Sequence, residues 1–285
     1  MQNKDEALGT QPIGKLMLSL ALPAVAAQFI NMLYNIVDRI YIGHIPENGA
    51  LALTGVGVCM PLIMIVSAFA ALVGNGGAPR ASIFMGKGDK ESAERTLGNC
   101  FTTQIIVSLL LTIILFTGNR SFLMAFGASE NTIPYAVAYM NIYSLGTIFV
   151  QLTLGMNAFI TAQGFARTGM LSVLVGAASN IILDPVFIFV FHMGVRGAAL
   201  ATIISQALSC AWVLNFLTGK KSYLKIRRCN MKLQKNIILP SLALGLSTFI
   251  MQASESVISI FSSRIISSGY RFSKYSATRR RTFPA

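Results

Sequence analysis

Long stretches without a single charge recur along this chain, and they decide what it can fold into. Leu16–Val37, Thr168–Leu183 and Asn236–Ser254 contain no Asp, Glu, Lys or Arg. Apolar runs of about 20 residues are what a helix needs to cross roughly 30 Å of hydrocarbon. In lipid, backbone polar groups must be satisfied within the segment or in a closed barrel. The runs are continuous rather than alternating, which argues against a barrel. Seven helical spans are expected, near 16–43, 52–79, 97–117, 132–157, 169–191, 197–218 and 236–263. Composition agrees: 54% of residues are hydrophobic and 12% charged, with a mean hydropathy of +0.63, whereas soluble domains are about a quarter charged. The expected fold class is an all-α polytopic membrane protein.

The net charge of +13 invites a nucleic-acid reading, which its distribution opposes. Lys4 and Lys15 precede the first span; Arg80, Lys87, Lys90 and Arg95 follow the second; Arg167 follows the fourth. Lys220, Lys221, Lys225, Arg227, Arg228, Lys232 and Lys235 follow the sixth, while only Arg120 and Arg196 occupy loops on the other side. Basic residues concentrate in cytoplasmic loops, so a cytoplasmic N-terminus in a bacterial inner membrane is expected. The basic loop 219–235 reads as a topology signal with some attraction to anionic lipid. Lys15 and the apolar run after it read as an uncleaved first helix, because the run continues unbroken to Val37.

Three carboxylates interrupt this apolar background. Asp38 ends the first uncharged run, Asp184 the second and Glu255 the third. Ionisable groups at such depth are costly and default to handling an ion, a proton or a substrate. Asp184 is followed by Pro185, which kinks a helix and frees a carbonyl, and Asn180 lies one turn earlier on the same face. Two readings stand: an oxygen-rich face for a hard cation, or an Asp–Asn hydrogen bond bracing a kink. Asp38 is followed by Arg39. Adjacent residues do not share a helix face, so Asp38 can point inward while Arg39 reaches the headgroups. Asn31, Tyr34 and Asn35 lie on or near the Asp38 face; Tyr135, Tyr139, Asn141, Tyr143, Gln151 and Asn157 are further polar candidates in the fourth span. Such groups line a cavity or pair with neighbouring helices.

Enzyme chemistry has no motif in its favour: HExxH, GxSxG and paired Cys/His clusters are absent. Gly74-Asn75-Gly76-Gly77 lacks the phosphate-loop pattern and reads as close helix packing or a flexible helix end. Cys59, Cys100, Cys210 and Cys229 have no ligand spacing and read as packing residues and a free thiol, with no structural metal.

Leu22-Pro23 precedes Asp38 as Leu239-Pro240 precedes Glu255, with fifteen residues from proline to carboxylate in both cases. The pair suggests that residue 236 opens a second copy of a six-helix unit, as in transporters built from parallel repeats. The Ser- and Arg-rich segment 264–285 holds Arg264, Arg271, Lys274, Arg279, Arg280 and Arg281 and would fall outside the cell, against the charge rule. It is expected to be a non-native tail left by a frameshift or truncation.

Three motifs carry a family resemblance. LALPAVAAQFINMLYNIVDRIYIG (20–43), GNGGAPRASIFMGKGDKESAERTLGN (74–99) and NIILDPVFIF (180–189) resemble multidrug and toxic compound extrusion (MATE) transporters, in the order and on the helices expected. The resemblance implies half of a twelve-helix transporter: cytoplasmic N-terminus 1–15, six-helix N-lobe 16–218, inter-lobe loop 219–235 and first C-lobe helix 236–263. It implies a cation site for Na+ or H+ at Asp38, Asn180, Asp184 and Thr202, with Glu255 where some members carry a C-lobe coupling carboxylate. Asn31, Tyr34, Tyr139 and Asn157 match cavity-lining, substrate-binding positions. The expected activity is multidrug efflux of amphipathic or cationic small molecules by antiport, with no cofactor beyond the coupling ion. The alternatives are an inactive membrane-inserted remnant and a lipid or glycolipid flippase of related architecture, the latter needing a cationic cavity. Transport is expected to need the missing C-lobe half or a second copy.

Overall fold

The computed structural model describes residues 13–282 and, toward the C-terminus, side chains up to residue 261. Among the described residues there are eight α-helices and no strand. They are α1 Ile13–Gly43, α2 Gly49–Gly86, α3 Lys90–Ala125, α4 Ile133–Leu145, α5 Thr147–Ala162, α6 Ala166–Pro185, α7 Val195–Thr218 and α8 Lys235–Thr282. Five of these segments are long and apolar enough to cross a membrane: α2, α3, α6 with its extension to Val190, α7, and Lys235–Ile258 of α8. α4 and α5 together make a sixth, bent by 58°. α1 holds the uncharged run Leu16–Val37. The expected end of the seventh span, residue 263, falls within α8.

The fourth span reads as one helix in sequence and is instead broken at Gly146. Ile203 of α7 packs against the break, where a Cβ at Gly146 would meet its side chain. Pro185 behaves differently, for the chain passes it through a π-turn, Val186–Val190. Prolines cost about 3 kcal/mol inside a soluble helix, yet Pro23, Pro61, Pro79, Pro185 and Pro240 all lie within helices. Neighbouring helices and side-chain hydroxyls satisfy the freed backbone groups in such bundles.

α2 is the helix against which most others pack: α8, α5, α3 and α4 all touch it, while α1 lies on α6 and α6 on α7. Lipid tails are as apolar as leucine, so association rests on close backbone approach and interhelical hydrogen bonds. Both are present. A Cβ on Gly74 would sit 2.7 Å from the Gly155 carbonyl oxygen, and one on Gly76 would sit 2.8 Å from the Gly245 nitrogen. Two fully buried glutamines donate side-chain N–H to successive turns of α2: Gln104 to the Ala70 carbonyl at 2.9 Å and Gln151 to the Val66 carbonyl at 2.8 Å. The Gly-rich stretch is therefore a packing surface inside α2, not a helix end.

The basic segment between α7 and α8 is a docked strap rather than a free linker. Glu94, buried on α3, receives Arg227 Nε at 3.1 Å. Asn99 Oδ1 accepts the Gln234 N–H at 2.7 Å, and Thr102 donates to the Met231 carbonyl at 2.9 Å. Leu224 is fully buried, and its N–H donates to Gln163 Oε1 at 2.9 Å. At the same end, Asp89 caps α3 by accepting the Ser92 N–H at 3.0 Å. Hydrogen bonds from Ser92 hold the Asp89 carboxyl below its ordinary pKa of 3.8.

Candidate cation and substrate site

Three helices bring the predicted residues together. α1 carries Asp38 inward, 7% exposed, while Arg39 remains exposed. α6 presents Asn180 and Asp184, 2% and 0% exposed. The two aspartyl side chains lie within hydrogen-bonding reach of each other across the α1–α6 contact. Thr202, on α7, is in side-chain contact with Tyr139 of α4, and Tyr34 is close to both carboxyls. Thr202 also donates to its own helix at the Ala198 carbonyl, 3.0 Å away.

The Asn180–Asp184 pair satisfies both readings of its spacing. Asn180 Nδ2 donates to Asp184 Oδ1 at 3.2 Å, so the two brace the turn before Pro185. That bond uses one polar atom from each residue. Asn180 Oδ1, Asp184 Oδ2 and Asp38 Oδ1 remain buried without a donor among the described residues. Buried polar atoms are nearly always paired, and these three oxygens are all acceptors, able to take a proton or a cation. The donor set is all oxygen and carries two carboxyls, which suits a hard cation or a proton.

Below this cluster lies a cavity of about 50 Å³ whose lining includes Asn31, Tyr34, Asn157, Asn180 and Thr202. Tyr139 is fully packed instead, stacked on Tyr143 with ring centroids 6.2 Å apart. Glu255 stands apart from the cluster: it is exposed on α8, which packs against α2 and α3 rather than against α1 or α6. Gln151 and Asn141 make structural bonds, Gln151 to α2 and Asn141 to Asn119. The lining also contains Thr153, Ser205, Gln206 and Ser209, which sequence reading passed over. Thr202, Ser205, Gln206 and Ser209 recur at helical spacing on α7, a polar stripe in an apolar span that could have marked them.

Long apolar helices closed around a buried polar cluster and a cavity define an integral membrane protein. The MatE family model matches residues 23–186, more than half the chain, and the chain belongs to that family. Multidrug export protein MepA of Staphylococcus haemolyticus is 26% identical over 251 residues, covering 87% of this chain and 55% of that protein. The chain thus spans about half the length of the curated relatives it matches. A solved structure described as the outward-facing conformation of a multidrug resistance MATE family transporter is 26% identical, with a TM-score of 0.79 over 85% of this chain and 53% of that one. Another, described as "protein A", is 33% identical with a TM-score of 0.87, covering 96% of this chain and 62% of that one.

Proposed function

We propose that this chain forms the cation-handling lobe of a multidrug exporter that works by antiport with Na+ or H+. The observation that carries the reading is the pairing of Asp38 with Asp184 beside Asn180, with one acceptor oxygen of each left unpartnered. Two like charges close together in a buried place repel. A bound cation or proton relieves that repulsion and favours the state in which α1 lies against α6. Drug binding favours the other state, and antiport follows when each ligand binds the two states with different affinity.

The size of the cavity supports this division of labour. At about 50 Å³ it has room for a few waters or an ion, whereas drug-sized ligands occupy pockets of about 300–1,000 Å³. The α1–α6 contact as it stands is the cation-favoured arrangement, and amphipathic or cationic substrates need it opened and faced by a further lobe. That lobe is a C-terminal half or a second copy. The positive-inside charge distribution supports a cytoplasmic N-terminus in a bacterial inner membrane. A flippase reading has no comparable support, because Lys and Arg are absent from the cavity lining among the described residues.

The test uses everted membrane vesicles containing the chain, loaded with sodium or acidified inside and given a dilution pulse into sodium-free or alkaline medium with ethidium, so that the cation leaves as the drug enters. Pulse-driven uptake that disappears in Asp184→Asn at equal expression is the expected result. Uptake that persists in Asp184→Asn refutes the cation site. No uptake by the wild type, with Asp184-dependent sodium binding intact, identifies an inserted lobe that binds its cation but does not transport.

A further inference from the structure

Nine buried side-chain oxygens find no hydrogen-bond partner among the described residues; four of the residues that carry them, Asn157, Asn180, Ser205 and Gln206, line one cavity, and helix direction strings these four with Asp38 and Asp184 into a column. Asp38, Asp184 and Asn180 stand at its top, and Ser205, Gln206 and Asn157 follow downward along α7 and α5, which meet α6 at Gly176 and Gly169. Helix direction fixes the order. α6 descends from Asp184 through Asn180, Gly176 and Ser172 to Gly169, a drop of about 22 Å at 1.5 Å per residue. α7 runs beside it from Thr202 to Ser205, Gln206 and Ser209, and α5 from Thr153 through Asn157 to Thr161, which is exposed.

Two glycines on α6 make room for the column. A Cβ at Gly169 would lie 2.7 Å from Asn157 Oδ1 and 3.1 Å from Thr161 Oγ1, and one at Gly176 would overlap Ser209 Oγ. Asn157 is oriented by its own bonds, its Nδ2 donating to the Gly169 carbonyl at 3.3 Å and to Ser172 Oγ at 3.2 Å. Its oxygen is thereby left over. Ser205 is 2% exposed, lines the cavity and has an unpartnered hydroxyl oxygen.

Below the two aspartates the column carries no charge. Neutral amide and hydroxyl oxygens hold a monovalent cation weakly, which suits passage rather than storage, since conduction requires sites that release what they bind. From these features we infer that Ser205, Gln206 and Asn157 form a neutral-oxygen waypoint through which sodium passes between the Asp38–Asp184 site and the strap end of the bundle. The inference rests on the cation-site reading of Asp38 and Asp184. With basic loops facing the cytoplasm, this is the route by which the ion taken from outside leaves inward. Asp184 supplies the affinity and the column supplies the exit.

The test is exchange of radioactive sodium on the purified full chain in lipid nanodiscs. Wild type is expected to bind sodium in an Asp184-dependent manner and to exchange it quickly. Gln206→Leu and, independently, Asn157→Leu are expected to slow association and dissociation alike by tenfold or more, so that affinity moves far less than the rates. Leu208→Ala, at an exposed position of α7, serves as the control with unchanged exchange. Unchanged rates in both route variants overturn the waypoint and leave the aspartate site standing. Loss of equilibrium binding in a monodisperse Gln206→Asn variant also overturns it, assigning that oxygen to the binding site itself. Absence of Asp184-dependent sodium binding in the wild type removes the sodium reading of the aspartate site and the route with it.

Discussion

Replacing Gly76 by valine should detach α8 from the bundle, and the structure sets the scale. A Cβ at Gly76 would lie 2.8 Å from the Gly245 nitrogen and 3.0 Å from the Ser241 carbonyl carbon, with the carbonyl oxygen nearer still; ordinary contacts begin at 3.4 Å. The helices must then separate by about 1 Å to restore normal contact distances. Arg80 Nη1 now donates to the Ile237 carbonyl at 2.8 Å, and the same displacement would carry that bond past the roughly 3.2 Å at which N–H···O bonds weaken. Overpacking costs about 1–3 kcal/mol, and an interhelical hydrogen bond in lipid is worth about 1 kcal/mol. Together they amount to roughly 2–4 kcal/mol, or about 30-fold or more in the docking constant at 1.4 kcal/mol per decade. Most of the apolar span of α8 is unburied, and no hydrophobic force between helices in lipid compensates. The assay is cross-linking by a short bifunctional thiol reagent between cysteines placed at Phe69 and Phe249, whose rings are 5.0 Å apart, with the native cysteines changed to serine. Gly57→Ala is the control, because a Cβ there meets nothing within 4 Å. Cross-linking that stays as fast in Gly76→Val as in the control refutes the reasoning.

The two glutamine staples should act as separate bonds onto one helix. Gln104→Leu and Gln151→Leu are each expected to lower stability by about 1 kcal/mol, read as a lower midpoint of thermal unfolding in nanodiscs, and a midpoint that does not fall removes the staple reading. The α3 cap has a pH signature. Because the Asp89 carboxyl is held below its ordinary 3.8, its contribution is present above that value and lost as pH falls through the lower folded-state pKa. Amide exchange in the first turn of α3 should therefore quicken below about pH 3.8 relative to Asp89→Asn, in which the acid-dependent step is absent; identical acid profiles for the two proteins contradict it.

What the sequence made legible follows from where each cause resides. Helical spans are written in the uncharged runs themselves, and Asn180 and Asp184 share a face by simple spacing, so both could be read. The inward turn of Asp38 and outward turn of Arg39 follow from the hundred-degree step between neighbours on a helix. The close contact at the Gly146 break could not be read, because Ile203 lies on another helix. Docking of the strap was equally hidden: its anchors are Glu94, Asn99 and Thr102 on α3, and nothing in the run of lysines and arginines reveals them. The column through Ser205, Gln206 and Asn157 occupies the ground between. Its helical spacing was visible on α7, but its meaning required three helices at once.

The same distinction explains why two carboxylates with matching sequence context end in different surroundings. Asp38 and Glu255 each lie fifteen residues after a Leu-Pro step, yet Asp38 is 7% exposed and Glu255 is exposed. The step and the spacing place a carboxylate at a given height on a helix; they do not bury it. Burial of Asp38 comes from α6, which packs along α1 and brings Asp184 with it. Among the described residues α8 meets α2 instead, through glycine and serine. A carboxylate becomes an ion site only when a facing helix removes its water and supplies oxygens in exchange. On the cation-site reading proposed above, α6 is the facing helix that does this for Asp38.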